Sequence, residues 1–149
     1  MTPDEYVALP DEEREAYLGS LSANELLLLG REIYNAGHYW HAHEAWEEVW
    51  LQSERPLRYF YQGLIQVAAA FVHLTRGEYP GTVKLLDEGI AKLELYLPAR
   101  LGVDTARLVH EAGEVRRRAV ELGERRLGEI EAVSLPRLHL VTEGVAPAG

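Results

Sequence analysis

The chain has 149 residues, of which 47% are hydrophobic and 26% charged, a composition typical of one folded globular domain rather than of a disordered segment. It contains no cysteine, which excludes disulfides, thiolate zinc sites, iron–sulfur clusters and cysteine nucleophiles. The net charge of −9 arises in residues 1–50, where 11 Asp and Glu stand against two Arg, so a nucleic acid is a poor candidate partner.

Helical periodicity extends through most of the chain, and strand patterns are nearly absent. Several helix ends are marked: Ser22 and Glu25 form a capping box, Gly37 and Gly77 are stop signals, and Asp104 is an N-cap. Helices are predicted at about 11–19, 22–36, 38–52, 56–76 and 80–97, and a sixth begins at 104. These elements predict an all-α fold, a single antiparallel helical bundle of about five to six helices that spans residues 1–149.

The last two predicted helices each carry one apolar stripe. The stripes are Val83, Leu86, Ile90, Leu93 and Leu97 in the first, and Leu108, Ala112, Val115, Ala119 and Leu122 in the second. On the second helix, the i,i+4 pairs Glu114–Arg118 and Glu121–Arg125 predict a solvated face. A second interpretation of these arginines is a contact with an acidic partner or with the acidic first third of another copy. From about residue 134 the tail is expected to be extended or loose, and residues 145–149 are expected to be loose.

The helix 38–52 is unusual because polar groups lie within its aromatic face. That face comprises Tyr39, Trp40, Trp46 and Trp50. At about 100° per residue, Glu47 lies about 40° from His43, inside the aromatic arc. An aromatic face is expected to be buried, and it should carry His43 and Glu47 into the core with it. Glu44 falls at the edge of this face, and His41 is expected to be in solvent.

The helix 56–76 is apolar nearly all round, which predicts a central buried element. Opposite its main apolar stripe lie Gln62, Gln66 and His73, within an arc of about 40°. The whole chain has three glutamines, and two of them occur here at i,i+4 spacing on the most apolar helix. This pattern suggests that the amides have a purpose. Gly63 should let a neighbouring helix approach closely.

The short link between these two helices makes them antiparallel neighbours. Counting outward from the link sets Glu47 level with Gln62 or Gly63, and His43 level with Gln66 or Val67. The two polar stripes are therefore predicted to meet in a buried cluster of His43, Glu47, Gln62 and Gln66. His73 lies about 10 Å farther along the axis, so it either borders the same cavity or makes a separate contact.

Two sequence blocks resemble a known family. The first runs from Tyr34 to Trp50 and contains a His-Glu-x-x-Glu motif; the second runs from Phe60 to Ala68 and contains Gln-Gly-Leu-Ile-Gln. They are similar to the bacterial and plastid family known as domain of unknown function 309, over about residues 30–95. The resemblance implies an all-helical fold but no activity. It centres the motif on His43, Glu44, Glu47, Trp50, Gln62 and Gln66.

Buried polar groups must be satisfied by one another, by water or by a ligand. One interpretation is a closed hydrogen-bond network that only fixes helix packing. A second is a pocket for a small polar ligand, with tryptophan walls and a few orienting polar groups. Its candidate residues are His43, Glu44, Glu47, Trp50, Gln62, Gln66 and His73.

A third interpretation is a divalent metal site. His43 and Glu47 at i,i+4 present two ligands on one helix face, and the motif superficially resembles the His-Glu-x-x-His helix of zinc proteases. The second histidine of that motif is missing. Hydrolytic chemistry would need Glu44 as the general base. Its position at the edge of the aromatic face argues against its facing the same metal ion as His43 and Glu47.

A fourth interpretation is a non-catalytic module for self-association or for binding a protein partner. The sequence has no nucleophile triad and no phosphate-binding loop, so it predicts no particular reaction. His110 and His139 are expected to be surface or edge histidines. No apolar run reaches the roughly 18 residues of a membrane span, and the acidic N-terminus is unlike a targeting signal, so we expect a cytoplasmic protein without a membrane partner.

Overall fold

The computed structural model describes residues 1–144, and seven α-helices form most of this part of the chain. They are α1 (Pro3–Ala8), α2 (Asp11–Gly19), α3 (Ala23–Asn35), α4 (Tyr39–Gln52), α5 (Leu57–Thr75), α6 (Tyr79–Leu93) and α7 (Thr105–Arg126). Residues 1–144 contain no β-strand, only isolated bridges, so the predicted all-α bundle is confirmed. No helix in this range has the length and hydropathy needed to span a membrane. Residues 145–149, which were predicted to be loose, lie outside the described range.

Local capping interactions set the helix ends. Ser22 Oγ accepts a hydrogen bond from the Glu25 backbone N–H at 3.2 Å, and Glu25 Oε1 accepts one from the Ser22 N–H at 3.0 Å. These two bonds complete the predicted capping box of α3. Gly37 follows α3 with φ of +89°, a left-handed conformation that favours glycine. Asp104 accepts from the Arg107 N–H at 3.1 Å and starts α7.

Helix α1 was not predicted, so residues 1–144 contain seven α-helices rather than five to six. Two common features of a helix N-terminus are present in α1. Thr2 accepts a hydrogen bond from the Glu5 N–H at 3.1 Å, and Pro3 occupies the first turn. With six residues it is too short to show an apolar periodicity. Its one buried side chain, Tyr6, packs edge-on against His41 of α4.

The apolar stripe predicted for α6 is shorter in the structure. The helix ends at Leu93, and a 3₁₀ turn follows at Glu94–Tyr96. Leu97 therefore lies outside the helix and is half-exposed. On α7 the predicted stripe is buried as far as Ala119.

Helix α5 is the centre of the bundle and packs between α4 and α6. Two glycines bring α5 and α6 close together: a Cβ on Gly63 would lie 2.9 Å from Leu93 Cγ, and one on Gly89 would lie 3.1 Å from the Gly63 carbonyl oxygen. The close helix approach predicted at Gly63 is thus confirmed. The close approach of the two helices also determines which residues of α6 face the polar side of α5.

The contact between α3 and α4 depends on a third glycine. Trp46 is fully buried, and its Nε1–H donates to the Leu27 carbonyl at 3.2 Å. Its indole packs directly against Gly30, where a Cβ would be 2.7 Å from Trp46 Cε2. An indole enclosed in this way cannot move aside as a flexible side chain would.

The segment after α7 is anchored on α3. Tyr34 Oη donates to the Pro136 carbonyl at 2.6 Å. Asn35 Nδ2 donates to the Leu138 carbonyl at 3.0 Å, and Asn35 Oδ1 accepts from the Leu138 N–H at 2.7 Å. Arg31 Nε donates to the same Leu138 carbonyl at 2.9 Å. These bonds fix the path of residues 136–138 across the bundle.

The ion pairs of α7 differ from those predicted. Arg117, rather than Arg118 or Arg125, bridges the helix, with Nη2 at 2.9 Å from Glu114 and Nη1 at 2.8 Å from Glu121. Because one guanidinium occupies both carboxylates, Arg118 and Arg125 have no carboxylate partner within residues 1–144.

We expect Gly30→Ala to lower the free energy of unfolding by about 1–3 kcal/mol, the usual effect of overpacking a rigid core. The matched control is Gly113→Ala within α7, where a Cβ meets nothing within 4 Å. There the gain in helix propensity should raise stability by about 0.5–1 kcal/mol. Urea unfolding of both variants measures the two effects. Equal changes in the same direction would contradict the packing described for Trp46.

Candidate functional site

The orientation of α4 differs from that predicted from its aromatic residues. Its buried residues are Tyr39, Ala42, Ala45, Trp46 and Val49. Trp40, which was predicted to be buried, is 56% exposed. The reason is that the two alanines let α3 and α5 approach the helix axis closely, so the core face is centred on small residues. The prediction that the whole aromatic arc faces the core is therefore wrong.

This rotation places His43 and Glu47 at the rim of the core rather than inside it. His43 Nε2 lies 3.4 Å from Glu47 Oε2, and the Glu47 side chain is 47% exposed. The expectation of a buried His/Glu/Gln cluster is thus wrong, because all four of its side chains are partly exposed. Solvent access to Glu47 removes most of the desolvation penalty that a buried ion pair would carry.

Five of the seven candidate side chains nevertheless surround one cavity, which we call the α4–α5 cleft. It has a volume of about 200 Å³ and is lined by His43, Glu47, Trp50, Gln62, Ile65 and Gln66. The lining comes from two adjacent helices, as the register counted from their link predicts. The sequence could not reveal that Ile65 supplies an apolar wall.

Gln66 is oriented by a residue that the sequence analysis missed. Its Nε2 donates to Glu88 Oε2 of α6 at 3.1 Å. A carboxylate only accepts hydrogen bonds, so the amide nitrogen must face Glu88 and the amide oxygen must face away. That oxygen, Oε1, is buried and has no hydrogen-bond partner in the described part of the chain. The only sequence signal for Glu88 is its position next to Gly89, where α6 approaches α5.

Trp50 contributes the second unsatisfied group of this cleft. Its Nε1 is buried and finds no acceptor among residues 1–144, in contrast to the hydrogen-bonded indole of Trp46. The exposed Arg58 covers the indole ring, with its guanidinium carbon 4.2 Å from the ring centroid. Two residues that line the cleft therefore each carry a buried polar atom without a partner in residues 1–144, one an N–H donor and one a C=O acceptor.

A second hollow continues the cleft towards the α4–α5 link. It has a volume of about 190 Å³ and shares Trp50 and Gln62 with the first. Arg55, Arg58 and Tyr59 complete its walls. The first cavity thus has the acidic Glu47 in its lining, and the second has the basic Arg55 and Arg58.

Glu44 and His41 lie outside the cleft, on the face of α4 that α1 and α2 cover. Glu44 Oε1 is 3.8 Å from Arg14 Nε and 3.9 Å from His41 Nε2. His41, which was predicted to be in solvent, is only partly exposed because Tyr6 packs on it. Glu44 Oε1, Arg14 Nε and Tyr6 Oη are all buried without a hydrogen-bond partner in residues 1–144.

Burial shifts the titration of this second polar group. Desolvation is the main cause that raises the pKa of Glu44, and the nearby Arg14 partly opposes it. Desolvation and then Arg14 lower the pKa of His41. The pair is thus pushed towards its neutral forms, which is unfavourable for an ion-binding role of Glu44.

His73 also lies apart from the cleft. Its Nδ1 is 3.5 Å from Glu78 Oε2 at the start of α6. The ring packs on Gly81, where a Cβ would lie 2.7 Å from Nδ1. Of the two alternatives left open by the sequence, the geometry matches the separate contact, at the turn between α5 and α6.

Metal coordination has no support in the geometry. Within residues 1–144, no group of three or more His, Cys, Asp or Glu side chains is arranged to hold a metal ion. His43 and Glu47 supply two donors, and the other polar groups of the cleft are amides, which are weak ligands.

The fold and cleft define an all-helical protein with a polar groove between two neighbouring helices. The model of the family described as a domain of unknown function, DUF309, matches residues 27–85, and this match confirms the family resemblance. The matched range contains all of α4 and α5, and so every residue that lines the α4–α5 cleft. Comparisons with curated proteins and with solved structures found no match.

We expect the stability of the Glu44→Gln variant, relative to that of the native chain, to increase as the pH rises. A carboxyl whose folded-state pKa lies above its ordinary 4.5 contributes stability below that pH, and this contribution is lost as the pH rises through the folded pKa. Glutamine does not ionise and escapes the loss. Thermal unfolding at pH 4.5 and 7 measures the difference, with Glu32→Gln on the exposed side of α3 as the control. If the stability of the variant relative to the native chain is lower at pH 7 than at pH 4.5, the attraction between Arg14 and the Glu44 carboxylate outweighs the desolvation of that carboxylate.

Proposed function

We propose that the α4–α5 cleft binds a small polar molecule that accepts a hydrogen bond from Trp50 Nε1–H and donates one to Gln66 Oε1. The observation that carries this proposal is the pair of buried, unpartnered polar groups among the side chains that line one cavity. Each such group left unsatisfied costs about 1–3 kcal/mol. A ligand that satisfies both recovers that free energy on binding.

The two groups select a chemical class. Molecules that offer both an acceptor and a donor include amides, ureas and ring lactams. Ile65 and the Trp50 indole provide apolar walls for such a planar group, and the cavity volume of about 200 Å³ suits a small molecule. His43 and Glu47 at the mouth add polar contacts to any substituent that extends outward.

Entry of the ligand requires side-chain movement at the mouth of the cleft. Neither the Trp50 N–H nor the Gln66 carbonyl is in contact with water. Arg58 covers the indole through a cation–π contact but is itself exposed and held by no carboxylate within residues 1–144. A contact of this kind is worth about 0.5–1 kcal/mol at an exposed site, so displacing Arg58 is a small penalty.

The indole N–H resonances provide the test. In ¹H–¹⁵N spectra we expect acetamide and 2-pyrrolidinone to shift the Trp50 indole signal and to leave that of Trp46 in place, because the Trp46 N–H is already bonded to Leu27. Assignment uses Trp50→Phe. Gln66→Leu should weaken the interaction about tenfold, since it removes the acceptor.

The matched control is Gln52→Leu, which changes an exposed glutamine of α4 outside the cleft and should leave the shifts unchanged. If no amide probe moves the Trp50 signal, or if Gln66→Leu and Gln52→Leu behave alike, the ligand proposal is wrong. The ligand proposal would also be wrong if the Gln66→Leu variant gains thermal stability and the amide probes still shift its Trp50 signal as they do in the native chain.

A second candidate function is self-association through the exposed stripe of α4. Trp40 and Leu51 are 56% and 62% exposed, and they lie within about 20° of each other around the helix. Glu47 lies between them on the same stripe. A continuous stripe with apolar ends can pair with its own copy about a two-fold axis.

Self-association predicts a mass of twice 16.8 kDa in light scattering at high protein concentration. Leu51→Glu should then restore the monomer, whereas Leu95→Glu, at a leucine 69% exposed outside α4, should not. A strict monomer at every concentration would exclude this candidate and leave the ligand proposal unaffected.

A further inference from the structure

A larger cavity, which we call the α7 cleft, lies between α7 and the segment that follows it. Its volume is about 550 Å³, within the usual range of small-molecule sites. It lies beyond residue 85, outside the part of the chain that matches the family. None of its lining residues belongs to the α4–α5 cleft.

Basic side chains dominate the polar lining. They are Arg107, His110, Arg118, Arg137 and His139. Among the described residues, neither Arg118 nor Arg137 forms an ion pair. Two guanidinium groups without an ion pair thus line one cavity of a chain whose net charge is −9.

Each of the two acidic residues of the lining lies beside an arginine other than Arg118 and Arg137. Glu114 lies 2.9 Å from Arg117, which binds it from outside the cleft. Glu111 Oε1 lies 3.3 Å from Arg107 Nε, although this buried oxygen has no hydrogen-bond partner among residues 1–144. Arg118 and Arg137 form no ion pair with either carboxylate.

The backbone holds Arg137 in place. The carbonyl of Pro136 and both backbone groups of Leu138 are bound by side chains of α3. Arg137 lies between these two anchored residues, so its Cα is fixed while its side chain is exposed at the cleft. A preorganised backbone reduces the entropy lost when the guanidinium binds.

The cleft also has an apolar side. Val133, which is 88% exposed, and the largely buried Val115, Ile130 and Leu135 contribute to its lining. A bare inorganic ion would leave this surface in contact with water. A molecule with an anionic end and a carbon skeleton uses both sides.

We propose that the α7 cleft binds a small organic phosphate, with the phosphate between Arg118 and Arg137 and the carbon skeleton against Val115, Ile130 and Leu135. A guanidinium presents paired N–H donors that match the oxygens of a phosphate. A phosphate monoester carries close to two negative charges at neutral pH, which matches two free guanidinium groups better than a single carboxylate does.

Isothermal titration of the full chain with phenyl phosphate, at constant ionic strength, tests this proposal. We expect phenyl phosphate to bind more tightly than inorganic phosphate and than phenylacetate. Arg118→Gln and Arg137→Gln should each weaken binding about tenfold, the effect expected for loss of a charge-assisted hydrogen bond. Arg118→Lys, which keeps the charge but loses the paired donors, should weaken it less.

The matched control is Arg125→Gln, because Arg125 is also an exposed arginine of α7 without a carboxylate partner in the described range, but lies outside the cleft. It should change the affinity less than twofold. Equal weakening by all three glutamine variants would mean non-specific attraction to the net charge, and would overturn the proposal. Absence of binding by the native chain, or equal affinity for phenyl phosphate and inorganic phosphate, would also overturn it. Circular dichroism checks that each variant is folded.

Discussion

A polar group withdrawn from water must find a partner, and this requirement explains how the bundle is organised around α5. The Trp46 N–H is paired with a backbone carbonyl and the Gln66 amide nitrogen with Glu88, so both hold their helices in register. The Trp50 N–H and the Gln66 carbonyl have no such partner in residues 1–144, and both residues line the same cleft. Where packing alone leaves a donor and an acceptor unused in one place, a molecule from outside is the simplest way to satisfy them.

The sequence predicted the parts of the fold that depend on local chemistry. The capping box of Ser22, the N-cap of Asp104 and the glycine after α3 act within a few residues, so each could be recognised without knowledge of the tertiary structure. The register of α4 against α5 followed from the short link between them. The rotation of α4 did not, because it depends on how closely α3 and α5 pack against Ala42 and Ala45. For the same reason Glu88 could not be identified as the partner of Gln66.

Helix α1 shows a further limit of local reasoning. Thr2 and Pro3 carry helix-start signals, but six residues are too few for a periodicity, and the helix is stabilised by burial of Tyr6 in the tertiary structure. Its presence changes the interpretation of the His-Glu-x-x-Glu motif, because Glu44 and His41 are covered by α1 and α2 whereas Glu47 faces the cleft. The two carboxylates of one motif therefore have different surroundings. The cytoplasmic location and the lack of a nucleic-acid partner stay predictions.

We expect Trp50 Nε1 and Gln66 Oε1 to be available to a molecule other than the protein itself. A high-resolution crystal structure of the protein grown in acetamide measures this directly. Both atoms should form hydrogen bonds with acetamide or with ordered solvent in the cleft, and Gln66 Nε2 should stay on Glu88. A structure in which protein groups bind both atoms and close the cavity would contradict this expectation.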